Sequence, residues 1–153
     1  MVTRCLRNAE FINAHAEKKS SPTEGPFEIT QQLAMLMAML CLSEKLRKKI
    51  AKKDPIKLEV AQAEGWPELC SSDVKDTVTP LLWSEQINML RHGLAHGNIR
   101  LFGNKSGEIT DVEVWNVPPY QKIRTWGTKI SANELMDMIR FIEKQLGRSA
   151  SSS

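Results

Sequence analysis

Between residues 83 and 116 the spacing of apolar side chains changes once, and that change limits what the chain can build. Trp83, Ile87, Leu90 and Leu94 recur at helical intervals and share one face. From Asn98 the period becomes two, through "NIRLF" and "EITDVEVWNV" with "GNKSG" between them, which is the pattern of a β-hairpin. Gly97 stands at the junction as the natural stop of the helix. Just before it sit Arg91, His92 and His96, and the two histidines are two of only three in the chain. A helix end with that composition needs a reason.

The same reading places the other elements. One helix is expected near residues 2–18, with Val2, Cys5, Leu6, Ala9, Ile12 and Ala16 on its apolar stripe. A longer one is expected over residues 26–51, with Pro26 in its first turn. Its broad apolar face is Ile29, Leu33, Leu36, Met37, Leu40 and Leu46. Residues 52–78 are irregular, with room for a short helix. The helix carrying Arg91 is expected to begin with Thr79 as its N-cap and Pro80 at its first position. "TWGTKI" adds a short strand, and "SANE" is a capping box opening the last helix. Leu135, Met138, Ile139, Ile142 and Leu146 form the buried stripe of that helix, and Gly147 ends it. The sum is a helical bundle with a small β insertion between its last two helices.

At 153 residues the chain is expected to be one domain, residues 1–147, with 148–153 a disordered tail. A hydrophobic fraction of 41% and a charged fraction of 25% are those of a globular protein. No apolar run approaches the roughly 18–20 residues that span a bilayer, so no membrane partner is expected. The charged start "MVTRCLRNAE" does not read as a signal peptide. Cys5, Cys41 and Cys70 are odd in number and far apart, which points to a reducing, cytoplasmic setting. The net charge of +3 is concentrated: Lys45, Arg47, Lys48, Lys49, Lys52, Lys53 and Lys57 face only Glu44, Asp54 and Glu59 nearby. Such a cluster suits phosphate, and it equally suits a solvated helix end stabilised by the helix dipole.

Three chemistries compete for Arg91, His92 and His96. Histidines spaced i, i+4 can share a zinc ion, but "HGLAH" lacks the glutamate of the zinc-protease motif and has no third ligand nearby in sequence. Basic groups at a helix C-terminus can simply satisfy its last carbonyls. The third reading is acid–base cleavage of RNA. It needs a group titrating near neutrality for the 2′-hydroxyl and the departing 5′-oxygen, and a guanidinium for the phosphate. On an ideal helix Arg91 and His96 point about 140° apart, so the helix must end or loosen near Gly97 for both to reach one phosphate.

The motif "LRHGLAHGNI", an arginine and a histidine five positions apart at a helix end, resembles the signature of the HEPN superfamily. "FEITQQLAMLMAML" before it and "EVWNV" through "WGTKISANELMDMIRFIEKQL" after it are similar to the branch of the pEK499 p136 type, over roughly residues 26–147. The resemblance implies a mainly α fold, a HEPN-like four- to five-helix bundle with a small β-hairpin insertion before the last helix. It implies a homodimer that brings two motifs into a shared cleft. It also implies a metal-independent endoribonuclease, a toxin or antiphage effector, that leaves a 2′,3′-cyclic phosphate and needs no cofactor. Carried over by position, Arg91 binds the scissile phosphate, His96 is the acid or base, and His92 orients the site. Lys45, Arg47, Lys48, Lys49 and Asn98 are the candidate RNA contacts, and no metal ligand is assigned. An antitoxin partner would go with such a role, but no motif here identifies one. Some superfamily members are controlled through a tyrosine two residues past the histidine. This chain has Asn98 there, and it has no nucleotidyltransferase motif.

A HEPN-like module that binds RNA or a nucleotide without cutting is the competing function, and a protein-interaction bundle is a third. The remaining histidine, His15, reads as a boundary residue. Trp66, Trp83, Trp115 and Trp126 could stack on bases, although Trp83 falls on an apolar face and suits the core. Met35, Met37 and Met39 read as packing.

Overall fold

The computed structural model describes residues 7, 10, 11, 14, 28–42, 55–69, 78–120 and 122–148. Of the expected first helix, Arg7, Glu10, Phe11 and Ala14 are helical and exposed; its stripe residues and His15 lie outside the described residues. Helix α1 covers Glu28–Met37 and continues as a π-helical turn over Ala38–Leu42. Helix α2 is the short helix Leu58–Ala63. Helix α3 is Trp83–Ala95, followed by strands β1 (Ile99–Gly103), β2 (Ile109–Asn116) and β3 (Trp126–Ser131), and then by helix α4 (Ala132–Arg148).

The three strands form one antiparallel sheet in the order β1-β2-β3, and this corrects the expected architecture. The fold is mixed α and β, not a helical bundle with a small hairpin. The reason lies in the inner face of the sheet. Val112 and Val114 of β2 and Ile130 of β3 are fully buried. Helices α1 and α3 pack on β2, and α4 packs on α1 and β3. The strands are therefore one wall of the core, a role that the period of two reveals only as one buried face. β3 pairs with β2 over six positions, from Asp111 opposite Ser131 to Asn116 opposite Trp126.

The start of α3 also differs from expectation. Thr79 and Pro80 lie outside the helix, which begins at Trp83 after Leu82 as N-cap. Residues 80–82 instead run beside 56–58: Leu58 N–H donates to the Leu81 carbonyl at 2.8 Å, and Trp83 N–H to the Ile56 carbonyl at 2.9 Å. The capping carboxylate is Glu85, which accepts from the Leu81 and Leu82 N–H groups at 2.9 and 3.0 Å. At α4 the capping box forms as expected, with Glu134 accepting from Ser131 N–H at 2.7 Å. That helix runs through Gly147 to Arg148.

The core joins these layers through three rings. Trp66, Trp83 and Phe141 meet edge to face, with centroids 5.2 to 5.7 Å apart. Trp66 also donates its indole N–H to the buried Gln86 amide oxygen. Trp83 is thus core, as its place on an apolar face suggested.

Helix α3 presses directly on β2 at Gly93. A Cβ added to Gly93 would sit 2.6 Å from Val114 Cγ1 and 2.7 Å from the Trp115 carbonyl oxygen. The carbonyl belongs to a paired strand and cannot step aside cheaply. Gly93→Ala is therefore expected to cost about 1–3 kcal/mol in urea unfolding, as overpacking does. A midpoint equal to that of the parent would show that α3 is free to lift from the sheet.

Candidate active site

Arg91, His92 and His96 all lie on the last turn and a half of α3, whose geometry Gly97 terminates. Gly97 has φ +68°, the left-handed conformation that glycine adopts without strain. Its N–H donates to the Leu94 carbonyl at 3.2 Å, and Asn98 N–H donates to the Gly93 carbonyl at 2.9 Å. This pair of bonds is a Schellman closure. The helix therefore ends sharply at Ala95, and His96, the C-cap, has already left helical geometry with angles of −97° and 5°.

The helix holds its shape through Ala95, so Arg91 and His92 lie on regular helix and His96 on its cap. His92 and His96 are exposed on one face, with ring centroids 5.8 Å apart and planes inclined by 29°. No hydrogen bond joins Arg91 to His96. Arg91 is half-buried, and the Cys41 thiol donates to its backbone carbonyl at 3.8 Å. Cys41 belongs to the π-helical turn of α1, so that irregular turn is what brings α1 against the motif. The Arg91 Nε is buried without a hydrogen-bond partner.

Two titrations respond to this setting. Partial loss of water around the His92 ring lowers its pKa, and the nearby charges of Arg91 and His96 lower it further. Burial raises the Cys41 thiol, against a smaller opposing pull from Arg91. His92 is accordingly neutral at neutral pH, a state able to accept a proton. Its depressed value also links to stability. Below the ordinary histidine value of about 6.5, the unfolded chain takes up a proton that the folded chain resists. Stability is therefore expected to fall as pH drops below that value, and His92→Asn should flatten the decline. Urea midpoints for both proteins at a series of pH values measure it; parallel declines would mean that His92 contributes nothing.

Asn98 uses its backbone on both sides, since its carbonyl also accepts from Trp115 N–H at 3.1 Å. It anchors the turn to β2. Lys45, Arg47, Lys48 and Lys49 lie outside the described residues. The structure thus brings His92 and His96 together and sets Arg91 beside His92. Among the described residues, no cluster of three or more His, Cys, Asp or Glu side chains could hold a metal ion. No described helix is long and apolar enough to cross a membrane. Sequence reasoning passed over the contact between Cys41 and Arg91, since a cysteine 50 residues away carries no local signal.

No curated protein and no solved structure matches the chain. The model of one protein family, described as HEPN pEK499 p136, matches residues 1–151, nearly the whole sequence and all of the helix end just described. On that match the chain belongs to the HEPN pEK499 p136 family.

Proposed function

We propose that this chain is a metal-independent endoribonuclease whose working site combines Arg91, His92 and His96. The observation that carries the reading is the exposed pair of imidazoles 5.8 Å apart, with Arg91 close enough to depress His92. Such a set matches the needs of phosphodiester cleavage. One imidazole takes the 2′-hydroxyl proton as O2′ attacks phosphorus. The P–O5′ bond then breaks, O5′ leaves with a proton from an imidazolium, and the 2′,3′-cyclic phosphate remains. His96 takes the acid–base role, His92 orients it, and Arg91 stabilises the charge gathering on the non-bridging oxygens. The basic run of Lys45, Arg47, Lys48 and Lys49, together with Asn98, would bind the RNA backbone.

Positions five apart on a helix point about 140° from each other, which favours a homodimer in which one copy supplies the Arg91 guanidinium and the other the His96 imidazole. The test is incubation of labelled RNA with the protein in excess EDTA, beside Arg91→Ala and His96→Ala. Cleavage that persists in EDTA and disappears in both variants is the expected result. Binding without cleavage would make the chain an RNA-binding module instead. Light scattering at micromolar protein should give a dimer, and a strict monomer would end the composite-site proposal.

A further inference from the structure

Four tryptophans and a single tyrosine are the large polar-tipped rings that the chain can offer to a base. Trp66, Trp83 and Trp126 are taken up by the core, each no more than 4% exposed. Trp115 is half-buried, and Tyr120 is 98% exposed. A ring that is almost wholly in water contributes nothing to folding, so its place calls for another account.

Both rings belong to the end of the sheet that carries the motif. Trp115 N–H bonds the Asn98 carbonyl, which puts this position of β2 directly against the Gly97–Asn98 turn. One residue later β2 ends, and the chain passes through Pro118, Pro119 and Tyr120 before returning at Thr125, whose N–H bonds the Asn116 carbonyl at 3.1 Å. Val114 faces Gly93 of α3, so Trp115 stands on the opposite face of the sheet.

On that face Trp115 is already matched to a cation. The Arg124 guanidinium carbon lies 5.3 Å from its ring centroid. Glu113 holds the same guanidinium at 2.7 Å. The cross-strand partner of Trp115 is Gly127, where any Cβ would collide with that guanidinium. The glycine thus leaves a slot in which arginine lies beside the indole. A second such pair, Lys129 over Phe102 at 4.8 Å, lies further along the same face. Cations outnumber anions on this face, with Arg100, Arg124 and Lys129 against Asp111 and Glu113. Rings interleaved with cations suit a single nucleic-acid strand, because bases stack on the rings while phosphates meet the charges. A duplex offers no free base face to such a surface.

We propose that Trp115 with its Arg124 partner, together with Tyr120, is a stacking platform for the unpaired bases beside the phosphate that Arg91, His92 and His96 act on. The ligand class rests on the endoribonuclease reading; the platform specifies single-stranded RNA, gripped around the end of the sheet. Binding is measured by fluorescence anisotropy in a His96→Ala background, with an unstructured oligoribonucleotide and a fully paired RNA duplex as probes. Tyr120→Ser and Trp115→Leu should each weaken single-strand binding about tenfold, and Trp115→Phe should recover most of it. Duplex binding should stay unchanged. Tyr120→Ser removes nothing from the core, so its result is free of any folding effect. Parent-like affinity in Tyr120→Ser and Trp115→Leu, or equal losses on both probes, would overturn the platform. If the unmodified chain cleaves RNA and the ring variants bind like the parent, the platform falls alone. If ring-dependent binding occurs without any cleavage, the platform stands and the nuclease falls.

Discussion

Replacing His96 by alanine is expected to slow RNA cleavage by about 10²–10⁴-fold, the usual contribution of a positioned acid or base. Arg91→Ala should lose a comparable amount, because phosphate charge left without its guanidinium is stabilised only by water. His96 is exposed, so His96→Ala should melt close to the parent, whereas Arg91 is half-buried and its loss is read as activity per folded molecule. A mixing experiment turns the geometry into a sharper expectation. In a dimer built from one Arg91→Ala copy and one His96→Ala copy, a site shared across the interface is intact once and doubly broken once. Equal mixing of two dead variants should then restore about a quarter of the parent activity, since half of the dimers are mixed and each has one good site. A site made within one chain restores nothing. Failure to recover activity, in a mixture shown to exchange subunits, would return Arg91 and His96 to a single protomer.

The second large effect is expected far from the motif. Phe141→Ala should cost about 3–5 kcal/mol, because it empties the centre of the ring cluster that joins α3 to α4 and the segment around Trp66. Phe141 is 2% exposed, and its ring meets both Trp66 and Trp83 edge to face. Against a total stability of about 5–15 kcal/mol, that loss is about a fifth or more. Urea unfolding measures it, and a loss below about 1 kcal/mol would mean that Trp66 and Trp83 can repack over the space. Activity per folded molecule should be retained, which separates this effect from that of His96→Ala.

The two predictions divide the protein along a line that is also the line between what could and could not be read in advance. The end of α3 was legible because its causes are local. Gly97 takes the left-handed conformation, its neighbours close the Schellman bonds, and an i, i+4 pair must share a face. The capping box at Ser131 and Glu134 is local in the same way. Thr79 and Pro80 misled because a better partner lay in another segment, residues 56–58, which pulled residues 80–82 into an extended pairing.

By itself, then, the order of residues determined where α3 ends, where the period of two begins, and that arginine and two histidines crowd one terminus. Tertiary structure alone decided that the strands wall the core, that Gly93 lets α3 press on β2, and that Cys41 meets Arg91. It also decided that three tryptophans are buried while Trp115 keeps a ring at the surface. The physical reason is range. Hydrogen-bond closure and side-chain direction act over four or five residues, whereas burial depends on which distant segments compete for the same face.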